Sequence, residues 1–321
     1  MLTAPLPTEL ERALVERAGG RTQAAARADL TRRYRDPTTP AGPVARSEND
    51  VLAYAVARLP ATYAATRIAL GELRERLPAF VPTTHLDLGS GPGTALWAAR
   101  DVWPDLQATA VEAEAAMTTL ARGLGARAEW VRGTLPGAVP AASFDLVTVA
   151  FVLGELAAPS ETVERAWTAT AGAVVVVEPG TPAGYERVLD ARDRLIAAGA
   201  RVVAPCPHDR ACPLAGTTDW CHFAVRVARS SAHRRAKEAR LGHEDEKFSY
   251  VVAARGDARR AAARILRHPQ VRPGHIQLEL CATDGLRRET VSKRHGERYR
   301  RARRSSWGDD LAVDPDARRS S

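Results

Sequence analysis

The stretch His85-Leu-Asp-Leu-Gly-Ser-Gly-Pro-Gly-Thr94 opens as a short apolar strand carrying Asp87, passes through Gly89, Gly91 and Gly93, and then enters a helical pattern. Glycine is needed where backbone must turn tightly and come close to a ligand without a Cβ in the way. The helix that follows offers free N–H groups at its first turn. A strand, a glycine loop and a helix in this order point to a nucleotide-type α/β fold.

The pattern on either side supports that reading. Short apolar runs at 107–112, 128–132, 144–150 and 173–178 alternate with helical stretches at 95–102, 113–123, 159–170 and 184–198. Continuous Val and Leu runs are what strands buried on both faces look like, and the alternation predicts a doubly wound parallel sheet. The runs 248–254 and 275–281 are expected to complete it as its last pair of strands. Upstream, residues 1–80 are rich in Ala, Leu, Glu and Arg and read as helical. There Ser47 is a candidate cap, Pro60 separates one helix from the next at 61–77, and Pro78 and Pro82 mark a boundary.

The Gly-x-Gly-x-Gly spacing fits S-adenosylmethionine (SAM) binding better than the Gly-x-Gly-x-x-Gly of dinucleotide sites. Glu112, ending the second strand, stands where an acid would accept both ribose hydroxyls. Asp87, Gly89, Gly91, Gly93 and Glu112 are the candidate SAM residues. No catalytic residue is identifiable. The segment after the fourth strand, Ala150-Phe-Val-Leu-Gly-Glu-Leu, lacks the Asp/Asn-Pro-Pro-aromatic element of amino-methylating enzymes. Glu155 and Glu178 are each read as either a substrate contact or a helix cap.

The chain has four cysteines, and Cys206, Cys212 and Cys221 share one Pro- and His-rich stretch while Cys281 ends a distant strand. No run approaches the ~18 apolar residues of a membrane span. The N-terminus has no signal-peptide character, so the expected location is cytoplasmic, where clustered thiols serve as ligands or catalysts rather than disulfides. Four thiolates suit tetrahedral zinc or a [4Fe–4S] cluster. The wide spacing favours the cluster, while His208, His222 and His243 leave a mixed zinc site open.

Net charge is +8, and Arg and Lys gather at 226–240 and 287–304. Such patches suit a phosphate backbone, whose neutralisation releases counterions. Arg229, Arg234, Arg235, Lys293 and Arg294 are the candidate RNA contacts.

Together these segments resemble the mitochondrial small-ribosomal-subunit methyltransferase-like assembly family, whose bacterial members are described as predicted rRNA methylases. The resemblance covers about residues 45–308. It rests on Ala57-Arg-Leu-Pro-Ala-Thr-Tyr-Ala-Ala, Leu86-Asp-Leu-Gly-Ser-Gly-Pro-Gly-Thr, Phe151-Val-Leu-Gly-Glu-Leu and Val177-Glu-Pro-Gly-Thr-Pro. It continues in Ala204-Pro-Cys-Pro-His-Asp, Asp219-Trp-Cys-His-Phe, Glu244-Asp-Glu-Lys-Phe-Ser-Tyr and Arg267-His-Pro-Gln.

The resemblance implies a Rossmann-like SAM-methyltransferase sheet with a helical N-terminal region (1–80). A SAM-binding domain (81–285) would carry a cysteine-containing insertion at about 200–245, before the last two strands, and a basic tail would follow (286–321), expected to be disordered after Asp309. It also implies a [4Fe–4S] cluster on Cys206, Cys212, Cys221 and Cys281, with the small ribosomal subunit and its rRNA as partners. No membrane partner is expected, and the free chain is expected to be a monomer. Two activities are compatible with it: methyl transfer to rRNA, or a non-catalytic role in small-subunit assembly.

Overall fold

The computed structural model describes residues 2–19, 48–229 and 241–311. Its centre is a nine-stranded sheet in the order β1-β8-β9-β6-β5-β2-β3-β4, with β7 alongside β8 on the outer edge of β9. These strands are β1 (Leu2–Thr3), β2 (Thr84–Leu88), β3 (Gln107–Glu112), β4 (Glu129–Arg132), β5 (Phe144–Ala150) and β6 (Thr170–Pro179), then β7 (Arg201–Ala204), β8 (Phe223–Ala228) and β9 (His243–Ala254). Strands β2 to β6 pair in parallel, and β9 lies antiparallel to β6.

The valine run of β6 shows why the sheet sits where it does. Val175 and Val177 pack with one hydrophobic cluster, and Val174 and Val176 with the other. The first face is covered by α1 (Thr8–Ala18), α2 (Glu48–Arg76), α3 (Thr94–Val102) and α4 (Ala115–Gly123). The second is covered by α5 (Pro159–Thr168) and α6 (Pro182–Ala197). This is the Rossmann-like methyltransferase arrangement that the strand–helix alternation predicts.

Four sequence expectations change. Pro60 does not divide two helices, because α2 runs through it without a break. An interior proline costs about 3 kcal/mol. Leu59, Tyr63, Leu70 and Leu73 are fully buried along this one helix, and at ~1.5–3 kcal/mol each their burial outweighs that cost. Ser47, the expected cap, lies outside the described residues.

The second change concerns 275–281, which does not complete the main sheet. Both edges of β9 are taken, by β6 on one side and by β7 and β8 on the other. The segment instead forms β12 (His275–Ala282) of a separate antiparallel sheet with β10 (Ala263–Ile265), β11 (Gln270–Arg272), β13 (Gly285–Ser292) and β14 (Asp310–Leu311).

Third, 286–311 is not an appended tail. It supplies β13, the helix α7 (Glu297–Arg304) and β14, which share a core of Ile276, Leu278, Leu280, Val291, Ala302 and Leu311 with the second sheet. A boundary at 285 would cut the β12–β13 hairpin, where Ala282 faces Gly285. Asp310 and Leu311, expected to be disordered, are ordered as β14, and the rest of that stretch lies outside the described residues.

The cysteine stretch also sits differently from an insertion between whole strands. Strands β7 and β8 pair with opposite halves of β9, Ala204 opposite Val252 and Phe223 opposite Phe248. They are two halves of one edge, and residues 205–222 leave the sheet between them. Buried Arg264 of β10 ties the second sheet to α2, donating to Glu72 Oε2 at 2.7 Å and to the Gly308 carbonyl at 2.6 Å. Arg76 of α2 pairs with Asp310.

Candidate functional site

At the carboxyl end of β2 the loop backbone is pinned, since Gly89 N and Ser90 N donate to the Val111 carbonyl at 3.0 and 3.1 Å. Gly89, Gly91 and Gly93 all have left-handed backbones, with φ of 71°, 53° and 81°. A Cβ on Gly89 would come 2.4 Å from Val152 Cγ2, and one on Gly93 would come 2.7 Å from Ala126 Cβ. A Cβ on Gly91 would meet nothing within 4 Å. The outer two glycines permit close packing, and the middle one opens onto free space.

The two acids flank that opening. Glu112 Oε2 accepts from Gly91 N at 2.7 Å and its Oε1 from Glu114 N at 2.8 Å, so the carboxylate is held against the loop. Asp87 is 1% exposed, and its Oδ1 accepts from Thr148 Oγ1 at 2.7 Å. Because Thr148 gives its proton to Asp87, His85 Nε2 is the donor in the 2.8 Å contact with Thr148 Oγ1. Burial pushes the His85 imidazole down to about 3, so it is neutral. Burial likewise pushes the Asp87 carboxyl up to about 6. Asp87 Oδ2 and Ser90 Oγ are buried without a hydrogen bond of ordinary geometry. Ser90 lies close enough to Asp87 to favour its ionised form, and a buried carboxylate so weakly satisfied suits a cationic ligand group.

At the neighbouring strand end the chain is strained. Phe151 is a non-glycine residue at φ 58°, with its N–H on the Val177 carbonyl at 2.7 Å. A conformation of that kind costs on the order of 1 kcal/mol and gathers at functional sites. Glu178 is resolved as an internal clamp: Oε1 accepts from Leu153 N at 3.0 Å and Oε2 from Arg187 Nε at 2.7 Å. Burial raises its carboxyl against the pull of Arg187. Glu155 stands on the turn after Phe151, where burial and then the Glu178 carboxylate push its carboxyl up to about 7.

The four cysteines are brought together. Cys206, Cys212, Cys221 and Cys281 are free thiols that line a single cavity with Tyr185 and Arg192 of α6, Ser249 and Tyr250 of β9, and Arg264 of β10. The Tyr185 hydroxyl is 3.3 Å from Cys212 Sγ, and Ser249 Oγ donates to the Cys221 carbonyl at 2.8 Å. Burial raises the Cys206 thiol, opposed chiefly by Arg192. Cys221 is raised well above the ordinary range by burial and by the other three cysteines. Cys281 is pushed up to about 12 by burial, then by Cys206 and Cys212. The thiols therefore lie within electrostatic reach of one another.

Among the described residues no three His, Cys, Asp or Glu side chains are arranged to hold a metal ion as they stand. His208 Nε2 lies 3.9 Å from Cys281 Sγ. The His222 ring packs on Trp220 and Trp307, at 5.1 and 4.8 Å between centroids. His243 is at the far end of β9, opposite Ala228.

The basic residues separate into two kinds. Arg229 is a strut, its Nη2 on Glu244 Oε2 at 2.8 Å with both side chains largely buried. Arg226 makes a two-point pair with Asp245 at 2.8 and 2.9 Å. Arg234 and Arg235 lie outside the described residues. Lys293 and Arg294 are exposed on the turn after β13, and α7 adds exposed Arg300, Arg301, Arg303 and Arg304. The sequence reading missed this helix. Tyr299 and Ala302, three apart, were the available signal for its apolar side.

A Rossmann-like sheet with a glycine loop, joined to a second sheet by a cysteine-lined cavity, defines a methyltransferase-fold protein with a thiol site. Residues 48–312 match the family described as mitochondrial small ribosomal subunit Rsm22, and the chain belongs to that family. It is 37% identical over 292 residues to the human mitochondrial ribosome assembly protein METTL17, covering 82% of this chain and 62% of that protein. It is 29% identical over 181 residues to Rsm22-cox11 tandem protein 2 of Schizosaccharomyces pombe, 43% of this chain and 24% of that one. The chain thus spans only part of the length of these relatives.

Among solved structures it resembles magnesium protoporphyrin IX methyltransferase of Synechocystis PCC 6803 with bound SAM, at TM-score 0.41 and 11% identity over 74% of this chain and 98% of that one. It also resembles the plantazolicin methyltransferase BpumL with SAH, at TM-score 0.41 and 12% identity over 77% and 99%. No helix among the described residues is long and apolar enough to cross a membrane.

Proposed function

We propose that this chain binds SAM at the glycine loop and acts on the rRNA of a small ribosomal subunit. The observation that carries the SAM reading is the pairing of Gly91's open side with the carboxylates of buried Asp87 and half-buried Glu112, held on either side of the loop. Asp87 and Glu112 would accept from the ligand's cationic and hydroxyl groups, and the first turn of α3 would face it with free N–H groups. SAM itself supplies a methyl group already activated on a sulfonium, so the protein's part in transfer is mainly positioning.

The intact loop favours an rRNA methyltransferase. The engagement of Glu178 inside the fold, by Leu153 N and Arg187, favours a non-catalytic assembly factor instead. Mass spectrometry of small-subunit rRNA with and without the gene separates the two. A missing methyl group identifies the enzyme, and identical rRNA accompanied by defective subunit assembly identifies the assembly factor.

The same reading gives the cysteine cavity a [4Fe–4S] cluster. What supports this reading is the donor chemistry: the four thiols line one cavity, and thiolates are the usual ligands of such a cluster. Two buried guanidiniums, Arg192 and Arg264, line that space and would offset the net negative charge of a four-thiolate group. The cluster would supply the bonds that hold residues 205–222 to β12. Iron and sulfide analysis of anaerobically purified protein tests this, and stoichiometric zinc without iron overturns it.

For RNA contact, the exposed face of α7 and the turn before it support the reading. Replacing Arg301, Arg303 and Arg304 together by Ala is expected to weaken rRNA binding and to lower the slope of log affinity against log salt by about 2, at ~0.7 per single-strand phosphate contact. Unchanged affinity and slope would assign these arginines to a solvated surface.

A further inference from the structure

Helix α6 turns one hydroxyl and one guanidinium towards the cysteine cavity. Tyr185 and Arg192, two turns apart on one face of the helix, both line the cavity. Arg192 is 3% exposed. Its Nη2 holds the His208 and Arg210 carbonyls at 3.1 and 2.5 Å, and its Nη1 meets Asp193 Oδ1 at 2.7 Å. Its Nε–H is buried with no hydrogen bond of ordinary geometry, and the guanidinium lies near enough to the Cys206 thiol to interact with it. The other cavity arginine differs. Arg264 spends Nε on the Pro205 carbonyl, Nη1 on the Gly308 carbonyl and Glu72 Oε1, and Nη2 on Glu72 Oε2 and Asp310, so it contributes charge but no spare donor.

A neutral thiol is a weak acceptor, so this donor is poorly satisfied as it stands. A metal-bound thiolate is a charged acceptor and would pair with it more strongly. Donors to ligand sulfur set the reduction potential of an iron–sulfur group, and such outer partners also govern how tightly a metal is kept.

We propose that Arg192 Nε and the Tyr185 hydroxyl are positioning donors to the sulfurs of a thiolate-bound cluster, Arg192 towards Cys206 and Tyr185 towards Cys212, stabilising its reduced form and slowing its loss. The inference rests on the [4Fe–4S] reading above. Tyr185 and Arg192 are not ligands. They act through the cysteines, so removing them should leave the cluster in place and change its properties.

The test uses the full chain reconstituted anaerobically as wild type, Tyr185→Phe, Arg192→Lys and Arg192→Gln. Three quantities are read for each: iron and sulfide per chain, midpoint potential by reductive titration, and the rate of bleaching by an iron chelator. Tyr185→Phe and Arg192→Lys are expected to keep wild-type iron. Their reduced-to-oxidised ratio at fixed potential should fall about tenfold, which is about 59 mV for one electron, and bleaching should be faster. Arg192→Gln, which also loses the charge, should fall further. If changes at Arg192 prevent folding by releasing His208 and Arg210, Tyr185→Phe carries the test, because it removes one hydroxyl only. Wild-type iron with unchanged potential and bleaching in Tyr185→Phe and in any folded Arg192 variant overturns this inference and leaves the cluster reading intact. A wild-type protein without iron overturns the cluster reading and this inference with it.

Discussion

The glycine loop and the cysteine cavity are built in opposite ways. The loop is one short run of chain, 87–93, whose shape is specified by its own backbone and by a few hydrogen bonds to β3. The cavity is assembled from α6, the excursion between β7 and β8, the middle of β9, and β10 and β12 of the second sheet. A contiguous site is fixed by local sterics and fails when one Cβ is added. An assembled site is fixed by the packing of distant pieces, and whatever fills it joins those pieces. On that account an occupant of the cavity would add to the Arg264–Glu72 and Arg76–Asp310 ties that hold the second sheet to α2, and the loop governs only what binds beside it.

The largest expected effect comes from Cys281→Ser. If the cavity's occupant joins β12 to the 205–222 excursion, this variant loses the metal and more than ~3 kcal/mol of stability, since metal binding is folding free energy. Thermal denaturation with metal analysis reads both. An unchanged melting temperature would mean that packing alone holds the second sheet.

Next in size are two changes within the loop. Gly89→Ala would place its Cβ 2.4 Å from Val152 at a φ of 71° and is expected to cost ~2–4 kcal/mol. Gly91→Ala meets only free space and should cost ~1–2 kcal/mol through its backbone alone. Both should lose SAM binding in calorimetry, but Gly91→Ala out of proportion to its small destabilisation. If Gly91→Ala binds SAM normally, the open side of the loop is not where the ligand lies.

The smallest effect is one of pH. The Asp87 carboxyl is raised to about 6 by burial, so its ionised form is disfavoured in the folded chain. Its proton stabilises the fold as pH falls below about 6, and ionisation above that pH costs stability. Asp87→Asn should therefore be slightly more stable than wild type at pH 8, by ~1 kcal/mol, yet bind SAM more weakly. Wild-type affinity should fall below pH 6 and the variant's should not. A parallel pH dependence in both would remove Asp87 from the ligand's surroundings.

The core of the fold was legible because its signals are local. The run Val174 to Val177 faces two cores whatever lies beyond it, and glycines at 89, 91 and 93 leave few backbone solutions. The errors arose where distant burial outweighs local preference. Pro60 reads as a break until the rest of α2 is seen packed against α3 and the sheet. The run 275–281 reads as a last strand until β9 is found with both edges taken. Arg229 reads as a phosphate contact until Glu244 is found beside it, and α7 was missed because eight residues dense in arginine show only two apolar positions, Tyr299 and Ala302.

By itself the sequence determined the strand–helix alternation, the glycine loop with its acids, and the four thiols as a set, because these follow from composition, period and spacing along the chain. Only the tertiary structure decided that β7 and β8 are halves of one edge, that Cys281 arrives from a different sheet, and that Arg192 of α6 reaches the cavity with a donor to spare. Those facts depend on which surfaces exclude water together, and no local pattern encodes the partner of a buried face.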